Sequence, residues 1–160
     1  MTEETKIMFV CLGNICRSPL AHAVFESLVQ EAGLTNFKIE SSGTTAYHVG
    51  ELPDARMRAT ASEHGVKMTH RARQLKPSDL DHYDLILAMD NENLSNIRRL
   101  AASPEQLNKI QLFRDYDPEG GNGAEVPDPY YGGAAGFENV FQIVHRTAGH
   151  LLRTLTGQGA

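Results

Sequence analysis

The sequence predicts an α/β domain built on a four-stranded parallel sheet with helices on both faces. Two observations carry this. Short apolar runs of strand length alternate with segments whose apolar residues recur at helical spacing, and such alternation builds βαβ units whose crossover helices cover a parallel sheet on both sides. The chain has 160 residues, 41% apolar and 22% charged, which suits one globular domain, residues 1–160, with a sizeable core.

The elements follow in order. Lys6 to Val10 is an apolar run suited to a buried strand. Leu20, Ala21, Val24, Phe25, Leu28, Val29 and Ala32 then recur at helical spacing, with Ser18 as the expected cap, Pro19 at the first helical position and Gly33 as the stop. Phe37 to Ser41 is a second strand, and Asp54 to His64 a helix closed by Gly65. Tyr83 to Met89 makes a third strand, Asp90 caps a helix over Asn91 to Leu100, and Ile110 to Phe113 is a fourth strand. Phe137, Val140, Phe141, Val144, Ala148, Leu151 and Leu155 stripe a closing helix. Between them lies Asp117 to Gly136, with six glycines, three prolines and no periodicity. Structureless loops of that length inside a compact domain are usually functional or disordered.

Charge and cysteine usage exclude several function classes. A net charge of −5 argues against nucleic acid as a partner, because phosphate backbones are held by an excess of Lys and Arg. The acidic start M-T-E-E-T-K and the short apolar run Ile7 to Leu12 fit neither a signal peptide nor a membrane span, so a cytoplasmic location is expected. The two cysteines, Cys11 and Cys16, are no disulfide framework, and C-x4-C without a second pair is poor zinc spacing. His145 and His150 miss the i, i+4 spacing of a helical metal pair. Neither a metal nor a cofactor is expected, and reactive thiol chemistry is the reading left over.

The segment C-L-G-N-I-C-R-S, Cys11 to Ser18, joins the first strand to the first helix. Such a loop aims backbone N–H groups and the positive end of the helix dipole at one point, which makes an anion cradle. Arg17 adds a planar fork able to hold two phosphate oxygens. Gly13 keeps side-chain bulk out of the loop, and Asn14 tolerates a left-handed backbone. A thiol facing the cradle should ionise easily, since helix N-termini and cations lower a cysteine pKa from about 8.5 to roughly 3.5 to 7.5. Ser18 can donate to that thiolate. Together these groups describe nucleophilic attack on phosphorus; a nucleotide P-loop would read G-x-x-x-x-G-K-[ST] instead. Cys16 is close enough in sequence to reach Cys11, so a sulfenic acid on Cys11 could be trapped as a disulfide.

C-x5-R-S near the N-terminus, with D-P-Y-Y far downstream, resembles the low-molecular-weight protein tyrosine phosphatase family over nearly the whole chain. The resemblance implies a sheet of order 2-1-3-4 and hydrolysis of phosphotyrosine in proteins, with small aryl phosphates accepted in vitro. It implies Cys11 as the nucleophile that becomes a phosphocysteine, Arg17 as the phosphoryl clamp and Asp128 as general acid and base. The phosphate-binding loop would run through Leu12, Gly13, Asn14, Ile15, Cys16, Arg17 and Ser18. Asn14, Ser18, Ser41 and His70 would hold it in shape, and Leu12, Tyr47, Tyr130 and Tyr131 would wall the substrate cleft. The partners implied are phosphotyrosine-containing proteins, with a cognate tyrosine kinase among the candidates.

Each residue also has a plainer reading. Free cysteines are usually buried small hydrophobes, Asp-Pro is commonly a turn, Leu12 could belong to the core, and Tyr130 and Tyr131 could anchor their loop. Two rival functions are distinguishable. An arsenate reductase that passes oxidation along a cysteine relay needs further cysteines near the third strand, and Met89 to Leu100 contains none; a glutathione-dependent version would need fewer. A catalytically silent phosphotyrosine-binding module would lack Cys11 or Asp128, and both are present.

Overall fold

Alternation of side chains along the first apolar run decides how the chain packs. In the computed structural model, which describes residues 3–129 and 132–157, that run is β1 (Thr5–Cys11). Successive strand side chains face opposite ways, so Ile7, Phe9 and Cys11 enter one apolar cluster while Met8 and Val10 enter another. A strand buried on both faces lies between two covering layers. β1 pairs in parallel with β2 (Phe37–Gly43) on one side and β3 (Leu85–Ala88) on the other, and β3 pairs with β4 (Ile110–Leu112). The order is β2-β1-β3-β4, as the resemblance implies.

Helices close both faces. The first cluster takes in Leu20, Val24 and Phe25 of α1 (Arg17–Glu31), Met57 and Ala61 of α2 (Ala55–Glu63), and a stripe from Phe137 to Leu151 belonging to the last helix. Phe9 anchors it, its ring 5.9 Å from Phe25 and 5.3 Å, edge-on, from Phe113. The second cluster takes Leu80 of α3 (Asp79–His82) and Leu94 and Ile97 of α4 (Asn91–Arg98). After α5 (Pro104–Asn108) and β4, Phe113–Tyr116 form one 3-10 turn, and α6 (Gly133–Thr156) ends the described chain with Gly157 left-handed at φ 75°. No helix among the described residues is long and apolar enough to cross a membrane.

Most expected boundaries hold within two or three residues, and the exceptions have physical reasons. Asp90 caps α4 as expected, accepting from the Asn93 N–H at 2.7 Å, and Asp54, expected inside the second helix, instead caps it by accepting from the Arg56 N–H at 2.8 Å. Ser18 does not cap α1. The helix starts at Arg17 with Cys16 in the cap position and no side-chain cap bond, because the Ser18 hydroxyl is taken up by Cys11 and Asn14. The short helices α3 and α5 carry too few residues to display a periodicity.

The glycine-rich segment is tethered rather than loose. Asp117, its side chain fully buried, accepts from Arg146 Nε at 2.8 Å and Nη2 at 2.9 Å, from Arg114 Nε at 2.9 Å and from the Glu119 N–H at 2.9 Å. Further on, Arg114 Nη1 donates to Glu125 O at 2.8 Å, and Val126, fully buried, donates its N–H to Met89 O at 2.7 Å. The segment thereby reaches the carboxyl end of β3.

Removing one member of a buried ion pair leaves the other charge uncompensated. Asp117→Ala should therefore lower the unfolding free energy by about 3 kcal/mol in urea titrations at neutral pH. Its bonds, chiefly to Arg146, hold the carboxyl well below the usual carboxylate range. This contribution is complete above the unfolded value of about 4 and is lost as pH falls through the folded one, so the gap between parent and variant should close in acid. A gap independent of pH would exclude the ionic account.

Candidate active site

The winding of the sheet reverses at β1, since β2 lies on one side of it and β3 on the other. Ligands of open parallel sheets bind at that point, beyond the carboxyl ends of the strands. The loop from Leu12 to Cys16 occupies it, and Asn14 is its pivot. Asn14 is fully buried and, among the described residues, the single non-glycine with positive φ, at 58°. Its Nδ2 donates to Ser18 Oγ at 2.8 Å, while its Oδ1 accepts from His70 Nε2 at 2.9 Å and from the Arg73 N–H at 3.0 Å. The left-handed turn is thus locked by its own side chain.

Gly43 presses the loop from behind. A Cβ there would stand 2.7 Å from Leu12 O and 2.9 Å from the Gly13 carbonyl carbon, closer than backbone permits. The approach lets Thr44 and Thr45 donate their N–H groups to Cys11 O at 2.9 Å and Leu12 O at 3.0 Å. With those carbonyls engaged behind, the backbone N–H groups from Gly13 to Arg17 donate to no protein acceptor among the described residues. Gathered at the start of α1 and facing the cleft, such donors can form an anion cradle.

Cys11 Sγ, buried, lies 2.9 Å from Ser18 Oγ. Because Ser18 Oγ already accepts from Asn14, its own hydrogen is available to the sulfur, the alternative acceptor Ser42 O being farther away at 3.4 Å. Arg17 Nη1 donates to Asp90 Oδ2 at 2.8 Å and Val126 O at 2.9 Å. Burial works against the charge on Arg17, but Cys11 and the bonded Asp90 outweigh it and raise its pKa above the ordinary arginine value. Burial pushes the Cys16 thiol strongly up, and Cys11 and Asp54 add to this. Burial, then His22, pushes the His70 imidazole down.

Above the loop lies an open cleft of about 190 Å³ lined by Cys11, Leu12, Ile15, Cys16, Arg17 and Asp128, with Tyr47, Asp54, Arg56 and Phe137 among the other walls. Leu12 is 40% exposed and Tyr47 76%, so both present apolar surface to a ligand. Asp128 sits on the exposed rim. Tyr130 and Tyr131 lie outside the described residues.

The structure thus brings Cys11, Leu12, Gly13, Ile15, Cys16, Arg17, Tyr47 and Asp128 together around one cleft, with Asn14, Ser18 and His70 directly beneath it. Ser41 is a partial exception. Its hydroxyl bonds His22 Nδ1 at 3.0 Å and reaches the loop only through that ring, which packs on His70 at 4.9 Å between centroids. Sequence reasoning missed Gly43, Arg73, Val126, Asp54 and Arg56, and read Asp90 only as a helix cap. Nothing local marks these partners, although an acid that caps a helix at the end of a central strand is a signal for a residue near the switch point.

Comparison with known proteins agrees with this geometry. The family model described as low molecular weight phosphotyrosine protein phosphatase matches residues 6–160. A low molecular weight protein-tyrosine-phosphatase of Streptomyces coelicolor is 42% identical over 96% of this chain and 94% of its own. The human low molecular weight phosphotyrosine protein phosphatase is 41% identical over 88% and 89%. The crystal structure of a protein tyrosine phosphatase from Entamoeba histolytica, with Hepes in its active site, superposes with a TM-score of 0.90 at 37% identity, covering 96% of this chain and 98% of that one. A single match that spans the strand-loop-helix around Cys11 and continues to the closing helix places the chain in the low molecular weight phosphotyrosine protein phosphatase family.

Proposed function

We propose that this protein hydrolyses phosphotyrosine in proteins through a phosphocysteine on Cys11. The observation that carries the reading is the convergence on one cleft of a buried sulfur bonded by a hydroxyl, a row of unspent backbone N–H groups, a guanidinium and a carboxylate. The backbone donors and the Nε and Nη2 of Arg17 hold the phosphoryl oxygens, Nη1 being engaged by Asp90 and Val126. The Cys11 thiolate attacks phosphorus, the bond from phosphorus to the phenolic oxygen breaks, and Asp128 gives that oxygen its proton. Asp128, now a carboxylate, takes a proton from water as the water oxygen attacks phosphorus. The P–S bond breaks, releasing phosphate and the thiolate, which Ser18 stabilises. Leu12, Ile15, Tyr47 and Phe137 offer apolar walls to a flat ring, which favours aryl over alkyl phosphates.

The redox reading belongs to the same site. Peroxide would oxidise the Cys11 thiolate to a sulfenic acid, and the Cys16 sulfur would displace its hydroxyl as water to form a disulfide that an added dithiol reduces. Both sulfurs line the cleft.

Cys11→Ser should reduce turnover of para-nitrophenyl phosphate to background while leaving the circular dichroism spectrum and phosphate binding intact, since the cradle is backbone and Arg17. Substantial residual turnover would refute the nucleophile. Asp128→Asn should slow single-turnover dephosphorylation of phenyl phosphate by about 10² to 10⁴, and far less for phosphate esters of acidic phenols, whose leaving groups need no proton. An equal loss across the leaving-group series would mean that Asp128 only positions its loop. Cys16→Ser should recover less activity with dithiothreitol after peroxide than the parent does; equal recovery removes the protective role.

A further inference from the structure

Behind the phosphate loop, on the side away from the cleft, three residues from three separate elements meet: His22 from α1, Glu40 from β2, and His70 from the segment between α2 and α3. One ligand atom of each lies within 4.8 Å of the others. We propose that this cluster is a binding site for a divalent first-row transition ion of the zinc type, held by His22 Nδ1, a Glu40 carboxylate oxygen and His70 Nδ1, with water completing a tetrahedron.

The donor set fits that chemistry. Two imidazoles and one carboxylate suit zinc and its neighbours rather than calcium or magnesium, which take oxygen. With zinc bonds of about 2.0 to 2.2 Å, adjacent ligand atoms of a tetrahedron stand about 3.3 Å apart. Glu40 Oε1 lies 3.1 Å from His70 Nδ1 and 3.8 Å from His22 Nδ1, so modest side-chain rotation suffices.

Hydrogen bonding independently marks the His70 nitrogen. Asn14 spends its Nδ2 on Ser18, so its Oδ1 faces His70 Nε2 as an acceptor and that nitrogen carries the ring hydrogen. In the neutral ring Nδ1 is then bare, and its lone pair meets a carboxylate oxygen at 3.1 Å. A cation between them turns that opposition into two bonds. His22 differs: its Nδ1 bonds the Ser41 hydroxyl at 3.0 Å, a bond the ion would replace, while its Nε2 faces Glu26 Oε2 at 3.5 Å. Metal-binding histidines characteristically give their second ring N–H to a carboxylate or carbonyl; His70 has such a partner in Asn14 Oδ1, and Glu26 stands near His22 Nε2. The Glu40 side chain is 29% exposed and that of His70 16%, which leaves an ion a route from solvent.

An ion at this place would act on the phosphate loop. Coordination at Nδ1 makes the Nε2 hydrogen of His70 a stronger donor, and it is that hydrogen which holds Asn14 in its left-handed turn.

The test removes the active-site thiols, because thiolates are themselves good zinc ligands. Full-length protein carrying Cys11→Ser and Cys16→Ser is titrated with zinc chloride against a chromophoric chelator, and crystals are soaked in zinc for anomalous diffraction. One equivalent should bind, with an anomalous peak within bonding distance of His22, Glu40 and His70. Adding His22→Ala or Glu40→Gln should weaken affinity at least tenfold, and cobalt(II) in the thiol-free protein should give the intense visible spectrum of a tetrahedral ion. No binding in the thiol-free protein, a peak elsewhere, or affinity unchanged in a folded Glu40→Gln variant would overturn the proposal. Should His22→Ala fail to fold, Glu40→Gln and the position of the anomalous peak still decide it.

Discussion

The side-chain amide of Asn14 is the interaction on which the rest of the site depends. A left-handed backbone costs an L-residue roughly 1 to 2 kcal/mol, and Asn14 sets against it three hydrogen bonds, each worth about 1 kcal/mol net, to Ser18, His70 and Arg73. The balance favours the turn, and the turn orients the backbone donors that follow it. The same amide decides what Ser18 does: with its oxygen occupied by Asn14, its hydrogen is left for Cys11. One residue thereby shapes the loop and leaves the Ser18 hydrogen for the Cys11 sulfur.

Holding that turn requires distant parts of the chain. Gly43 at the end of β2 allows the backbone contact, and the segment carrying His70 and Arg73 supplies two of the three bonds to Asn14. Arg17 is fixed from the other half of the chain, by Asp90 at the end of β3 and by the carbonyl of Val126. Val126 is itself tied to Met89 O, so the glycine-rich segment that places Asp128 on the rim also orients the guanidinium. Asp90 works through both oxygens, one capping α4 and one holding Arg17. A substitution there would disturb the helix and Arg17 together.

The cluster behind the loop has a different logic. His22 and Glu26 share one face of α1, Glu40 projects from the neighbouring strand, and His70 arrives from an irregular segment. Their meeting follows from the parallel pairing of β1 with β2 and the packing of α1 over it, so no spacing rule along the chain anticipates it. Sequential motifs such as i, i+4 histidine pairs detect only sites built on one element, so a cluster assembled from three segments lies beyond their reach.

Much of this protein is determined locally and is therefore legible in its sequence. The double burial of β1 follows from its unbroken apolar run, α2 and α4 begin where Asp54 and Asp90 can cap them, and the strand-loop-helix around Cys11 carries its anion site in adjacent residues. Cys11, Arg17 and Ser18 are readable because the chemistry they share is compressed into eight residues. Tertiary structure alone decided what those residues bond to. Local spacing favours Ser18 as a helix cap, yet its hydroxyl turns inward to Asn14 and Cys11. Ser41 meets Asn14 only across the rings of His22 and His70, which the fold sets between them. Asp90, Gly43, Arg73 and Val126 lie from 29 to 109 residues away from their partners, as the pairs Gly43 with Asn14 and Arg17 with Val126 illustrate. Hydrogen bonds and van der Waals contacts act over a few ångströms of space whatever the distance along the chain, so only the folded sheet could bring these groups within reach.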